Sequence, residues 1–107
     1  MVKYKIELAI KAKMDLKEIH EYITNNLKEP TVADRLLDKI EAKILTLKHM
    51  PLCHAVEQDE QLRHRKLRKL IVDNYLVFYI VNEKTKTVLI VRILYAHRDW
   101  ANILQRK

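Results

Sequence analysis

Six of the seven side chains in Arg63-His64-Arg65-Lys66-Leu67-Arg68-Lys69 can be cationic, and positive charge returns at Arg92, His97 and Arg98. Guanidinium and ammonium groups held together can grip a phosphate or a carboxylate surface. His97, whose type titrates near neutrality, could add a general acid beside Tyr95. The bias is regional: residues 61–107 carry eleven Lys and Arg against three Asp and Glu, and residues 1–60 carry ten against eleven. The net +7 therefore sits in the C-terminal half, which implies an acidic partner such as RNA, DNA or an acidic protein. The blander reading of 63–69 is a solvated edge strand whose charges keep other sheets from pairing with it.

Other reactive types offer less. His49, His54 and His64 have no partner in sequence, and His20 falls on the polar side of a helix. The single Cys53 cannot close an internal disulfide, and only an adjacent histidine could favour its thiolate. No Cys/His cluster has zinc-ligand spacing, so no metal is expected. The chain has no glycine, which removes the tight phosphate-binding turns of nucleotide sites, so no cofactor is expected. Turns must instead use residues such as Asp73-Asn74 and Asn82, which tolerate left-handed backbone.

The elements that position these groups follow from periodicity. Val2, Tyr4, Ile6 and Leu8 alternate with charged residues, as in a strand with one wet face. Ala12, Leu16, Ile19, Ile23 and Leu27 mark an amphipathic helix over 9–27. Thr31 and Asp34 resemble a capping box opening a second helix, lined by Ala33, Leu37, Ile40, Ile44 and Leu47 and ending at Met50-Pro51. After a loop at 51–62 come strands at 64–72, 75–82 and 87–95 joined by short turns, then a helical turn anchored by Trp100 and Leu104. The order β-α-α-β-β-β implies one α+β domain over 1–107, with a helical hairpin on one face of a mainly antiparallel four-stranded sheet. At 107 residues it should bury about two-thirds of its unfolded surface. The N-terminus reads as a strand, not a signal peptide, and no apolar run could cross a bilayer, so a cytoplasmic protein is expected.

Strand 75–82 is apolar on both sides, with Tyr75, Val77, Tyr79 and Val81 turned to the helices and Leu76, Phe78 and Ile80 turned away. Strand 87–95 splits alike into Leu89, Val91, Ile93, Tyr95 and Val88, Ile90, Arg92, Leu94. No element is left to cover the second face, so a second chain is expected there.

Taken together, Asp15-Leu16-Lys17-Glu18-Ile19, Tyr22-Ile23, Leu36-Leu37, Leu67-Arg68, Tyr75-Leu76-Val77-Phe78-Tyr79, Val91-Arg92-Ile93-Leu94-Tyr95 and Arg98-Asp99-Trp100 resemble the RelE/ParE superfamily of bacterial type II toxins, more on the ParE side. The resemblance implies a growth-inhibiting toxin encoded beside a small antitoxin, in a plasmid-stabilisation type of system. ParE-like members are associated with poisoning DNA gyrase, and RelE-like members cleave messenger RNA on the ribosome.

On that footing Leu76, Phe78, Ile80, Arg92 and Tyr95 are the expected antitoxin contacts, in a complex that could be a heterotetramer. Arg63, Arg65, Lys66, Arg68, Arg98 and Trp100 are the expected target contacts, the target being gyrase with its DNA or the ribosome with its message. A nuclease would draw its base, acid and phosphate-binding cations from Lys66, Arg68, Arg92, His97 and Arg98. The leading expectation is a toxin that acts by binding. RelE-type enzymes carry arginine directly after the tyrosine opening the third strand, where this chain has Leu76. The alternatives are the nuclease, and a degenerate toxin that retains only antitoxin binding.

Overall fold

The computed structural model describes residues 3–56, 65–98 and 100–105. Expectations resting on Val2, Arg63, His64 or Asp99 lie outside the described residues.

Strand β1, Lys5–Leu8, turns Ile6 and Leu8 inward and leaves Lys5 and Glu7 in solvent. Helix α1, Ile10–Glu21, runs into a five-residue π-helical turn, Tyr22–Asn26. Ala12, Leu16, Ile19 and Ile23 face the core as their spacing predicts. Leu27 does not: it is 53% exposed, because the i→i−5 bond from its N–H to the Tyr22 carbonyl (3.3 Å) widens the last turn and carries it off the stripe. The chain then reverses through Lys28, φ 54°, and the Glu29 N–H reaches back to the Ile23 carbonyl at 3.0 Å.

Helix α2, Pro30–Leu45, continues as a 3-10 turn, Thr46–Lys48. The capping box does not form. Pro30, with its fixed φ and no N–H to leave unpaired, starts the helix two residues earlier than a Thr31 cap would, so Thr31 lies inside the first turn. Asp34 Oδ1 instead meets His20 Nε2 of α1 at 2.8 Å.

Three antiparallel strands follow: β2 Arg68–Val72, β3 Tyr75–Asn82 and β4 Thr87–Tyr95. The sheet order is β1-β4-β3-β2, with β1 parallel to β4, and both helices pack on one face. This is the expected α+β arrangement. Strand β2 is shorter than the predicted 64–72, because Lys66 takes a left-handed conformation (φ 55°) and leaves Arg65 and Lys66 in a turn. In β4, Phe78 faces Arg92 and Tyr79 faces Ile90, so Val91 is an inserted bulge residue. The bulge corrects the strict alternation predicted for this strand: Val88, Ile90 and Ile93 all enter the helix-side core.

The second face of the sheet is not open, as it was expected to be. A short helix, α3, Trp100–Gln105, folds back across it, and Leu104 closes a second core over Leu67, Leu76, Phe78 and Leu94. The predicted anchoring by Leu104 holds. Its consequence is that Phe78 is fully buried and Leu76 nearly so, under the chain's own tail.

Candidate functional site: a tyrosine-lined groove beside a buried ion pair

Asp15 lies on the inner face of α1, between Ala12 and Ile19, where the packing stripe would favour an apolar residue. It is only 7% exposed along its side chain, and its neutralising partner comes from the bulge in β4. Arg92 Nε donates to Asp15 Oδ2 (2.8 Å) and its terminal nitrogen to Oδ1 (2.9 Å), while the Ile93 N–H donates to Oδ2 (2.9 Å). The bidentate pair fastens α1 to the centre of the sheet. Its hydrogen bonds to Asp15 raise the Arg92 pKa further above its already high value, so the guanidinium stays charged.

The other expected cations are also dispersed. Arg68 sits on the helix side of β2 and donates to the carbonyls of Leu52 (3.5 Å) and His54, while Val56 bridges to it across the strand edge. Arg65 donates to the Leu104 carbonyl and so pins the tail. Lys66 is exposed in its turn. His97 and Arg98 lie past the far end of β4, with His97 tilted on Tyr95 at 5.1 Å between ring centroids. Arg68 pairs with Tyr79 and Tyr95 with Tyr75. Four residue steps along β3 thus separate Arg68 from Tyr95, the strand end that His97 and Arg98 follow, about 13 Å along the strand. The sequence grouped Lys66, Arg68, Arg92, His97 and Arg98 as one constellation, and the structure does not bring them together.

What does converge is apolar and aromatic. A cavity of about 620 Å³ opens between the end of α1, the π turn and the β3–β4 end of the sheet, with Tyr22, Leu27, Tyr75 and Tyr95 on its walls and Glu18 and Arg98 at its margin. Tyr75 and Tyr95 meet edge-on at 5.6 Å. Burial above all, then the neighbouring phenols of Tyr95 and Tyr22, pushes the Tyr75 pKa up, so its hydroxyl stays protonated. Tyr75 also borders a neighbouring cavity of about 310 Å³ with Val32 and Arg35. Tyr22 and Leu27 are more than half exposed, so the groove is open to a partner.

Of the expected antitoxin contacts, Tyr95 lines this groove, Arg92 lies beneath it bound to Asp15, Ile80 is half-buried at the edge of the second core, and Leu76 and Phe78 are inside it. Trp100 opens α3. Sequence reasoning missed Tyr22, Leu27 and Asp15 as site residues. The available signal for Asp15 was a carboxylate inside an apolar stripe, and for Arg92 a lone charge in an apolar strand. Among the described residues no group of His, Cys, Asp and Glu is placed to hold a metal, and no helix is long and apolar enough to cross a membrane.

Solved structures superpose along nearly the whole chain. The chromosomal ParDE toxin–antitoxin system from P. aeruginosa matches at 18% identity over 89% of this chain and 98% of that one, with a TM-score of 0.71. The RelBE2 toxin–antitoxin complex from Mycobacterium tuberculosis matches at 19% identity over 89% and 93%, with a TM-score of 0.62. A mutant of the E. coli toxin RelE in the free state matches at 11% identity over 95% and 93%, also with a TM-score of 0.62. The architecture is thus the RelE/ParE toxin fold. The model of the family described as ParE toxin of type II toxin-antitoxin system, parDE, matches residues 6–100, and this chain belongs to that family. No curated protein matches it in sequence.

Proposed function

We propose that this ParE-family toxin inhibits growth by binding its target in the cytoplasm, gyrase with its DNA, and does not cleave RNA. The observation that carries the reading is the dispersal of its cations: Arg92 is spent on Asp15, Arg68 on loop carbonyls, and Tyr95, the strand end that His97 and Arg98 follow, stands about 13 Å along the sheet from Arg68. In-line cleavage needs a base, an acid and fixed positive charge around one phosphate. The exposed cations Lys66 and Arg98, with Arg63, Arg65 and Trp100, are the proposed target contacts. The cognate antitoxin occupies the tyrosine-lined groove in place of the sealed sheet face, laying an amphipathic acidic segment across Tyr22, Leu27 and Tyr95 with carboxylates toward Arg98 and Arg35. Its repetition on two toxins would give a heterotetramer.

Purified toxin incubated with translating ribosomes leaves the message intact, and incubated with gyrase it accumulates cleaved DNA complexes. Codon-positioned cuts abolished by His97→Ala would overturn the reading. Expression without the neighbouring gene arrests growth, and unimpeded growth would mark a chain that only binds antitoxin.

A further inference from the structure

The end of the sheet opposite the groove collects lysines from three separate parts of the chain. The Lys5 N–H donates to the Lys86 carbonyl (2.8 Å) and the Tyr4 N–H to the Lys48 carbonyl (2.9 Å), so the start of β1, the β3–β4 turn and the end of the α2 hairpin meet there. Lys3 precedes Tyr4, Lys84 lies in the same turn as Lys86, and Lys86 Nζ stands 5.5 Å from the centre of the Tyr4 ring. Against Lys3, Lys5, Lys48, Lys84 and Lys86, the acidic residues among the described residues of these same segments are Glu7, paired with Lys5 at 3.8 Å, and Glu83. Among the described residues, none of Lys3, Lys48, Lys84 and Lys86 makes an ion pair. Strand β4 runs from Thr87 at this end to Tyr95 at the groove, about 26 Å away.

We infer that this lysine pole is a contact surface for the phosphate backbone of duplex DNA. Its cations are all lysines, point charges on flexible stems that suit phosphates met without sequence reading; a site built for carboxylates would favour the arginine fork. A protein partner would need aromatic or aliphatic anchors seated in a pocket, and none of the five lysines borders the groove or the cavity beside it. Single-stranded nucleic acid would need a ring free for base stacking, whereas Tyr4 is half-buried with Lys86 over its face. The pole is separate from the groove, so DNA and antitoxin can be held together.

The test uses the purified full chain and a fluorescent duplex of about 20 base pairs, with anisotropy followed from about 50 to 300 mM salt. Lys48→Gln/Lys84→Gln/Lys86→Gln is expected to weaken binding roughly tenfold or more at low salt and to reduce the slope of log affinity on log salt by about three. Lys11→Gln/Lys13→Gln/Lys17→Gln removes the same charge from exposed positions of α1 and should leave that slope unchanged. Matched thermal melts establish that both triples fold, and single Lys84→Gln, in an exposed turn, gives a slope change of about one should the triple not fold. Equal losses in the two triples would reduce the effect to net charge and overturn the inference. So would loss of binding to anionic vesicles or single-stranded RNA with duplex binding intact, or no duplex binding by the parent chain.

Discussion

Asp15 and Arg92 lie 77 positions apart in the chain and within 3 Å in space, and neither is tolerable in the core without the other. Removing the carboxylate strands a mostly buried guanidinium and leaves the Ile93 N–H unpaired. Asp15→Ala is expected to lower unfolding free energy by about 3 kcal/mol, whereas Asp15→Leu with Arg92→Met should recover most of it, because an apolar pair avoids desolvating two charges. Urea unfolding of the single and double variants checks the sign of the coupling. Tyr79 carries a different liability. Its hydroxyl donates to the Pro51 carbonyl at 2.9 Å, and burial above all, with Cys53 adding and Arg68 opposing, pushes its pKa to about 12. The unfolded chain's phenol ionises near the ordinary value of 10.0, so the folded form's advantage is full below that pH and is lost as pH rises from about 10 to about 12. Tyr79→Phe should flatten this alkaline loss while costing about 1 kcal/mol at neutral pH through the missing hydrogen bond; stability measured at pH 8 and about 11 separates the two effects. Of the site, sequence made Tyr95 and Arg98 legible as functional candidates, but it placed Arg92 among the free cations because its partner lies a whole domain length upstream. A carboxylate in a helical apolar stripe and an arginine in an apolar strand are each oddities alone, and only packing makes them one feature.

Helix α3 settles what the sheet's second face can do. Leu104 is 3% exposed over Leu67, Leu76, Phe78 and Leu94, so a six-residue helix does the covering that a partner chain was expected to do. Leu104→Ala is expected to cost about 2–4 kcal/mol, since the side chain's transfer energy is lost and a cavity is left against Phe78. Thermal melting with a dye that reports exposed apolar surface checks it, and a near-neutral result would mean that the tail is not part of the core. The turns tell a second story. Lys28, Lys66, Asp73 and Lys86 all have positive φ in a chain with no glycine. Lys28 follows the π turn where a helix normally ends on glycine, so Lys28→Gly should raise stability by about 0.5–1 kcal/mol. Hydrophobic period revealed both helices, all four strands and the α+β class, because burial of one face is written into every second or every third and fourth residue. It could not reveal the π turn or the Val91 bulge, where one extra residue shifts the phase by an amount only neighbouring elements dictate. Of the four left-handed positions only Asp73 announced itself by residue type. Asn82, expected to share that role, instead accepts the Lys84 and Thr85 N–H groups through Oδ1 (3.0 and 3.1 Å) while Lys86 takes the strained conformation.

The molecule as a whole is a net +7 body with an apolar, tyrosine-walled groove at one end of its sheet and lysines at the other. Those two properties act on different rate constants for the proposed antitoxin. Net charge acts at a distance, drawing an acidic partner inward before contact, and is screened once the Debye length falls to a few ångströms. The groove acts only after contact, through side chains withdrawn from water. Raising salt from about 50 to 500 mM should therefore slow association of the toxin–antitoxin pair by about tenfold or more and change dissociation little. Tyr95→Ala, which removes an aromatic wall 39% exposed in the free toxin, should do the reverse, speeding dissociation by roughly thirtyfold, as loss of a central aromatic contact worth about 2 kcal/mol requires. Stopped-flow association and surface-bound dissociation of the co-purified pair measure both. Salt-insensitive association would remove long-range charge from the account. A Tyr95→Ala dissociation rate equal to the parent's, with binding lost instead on substitution of Ile80, would move the antitoxin off the groove and onto the edge of the face that α3 covers.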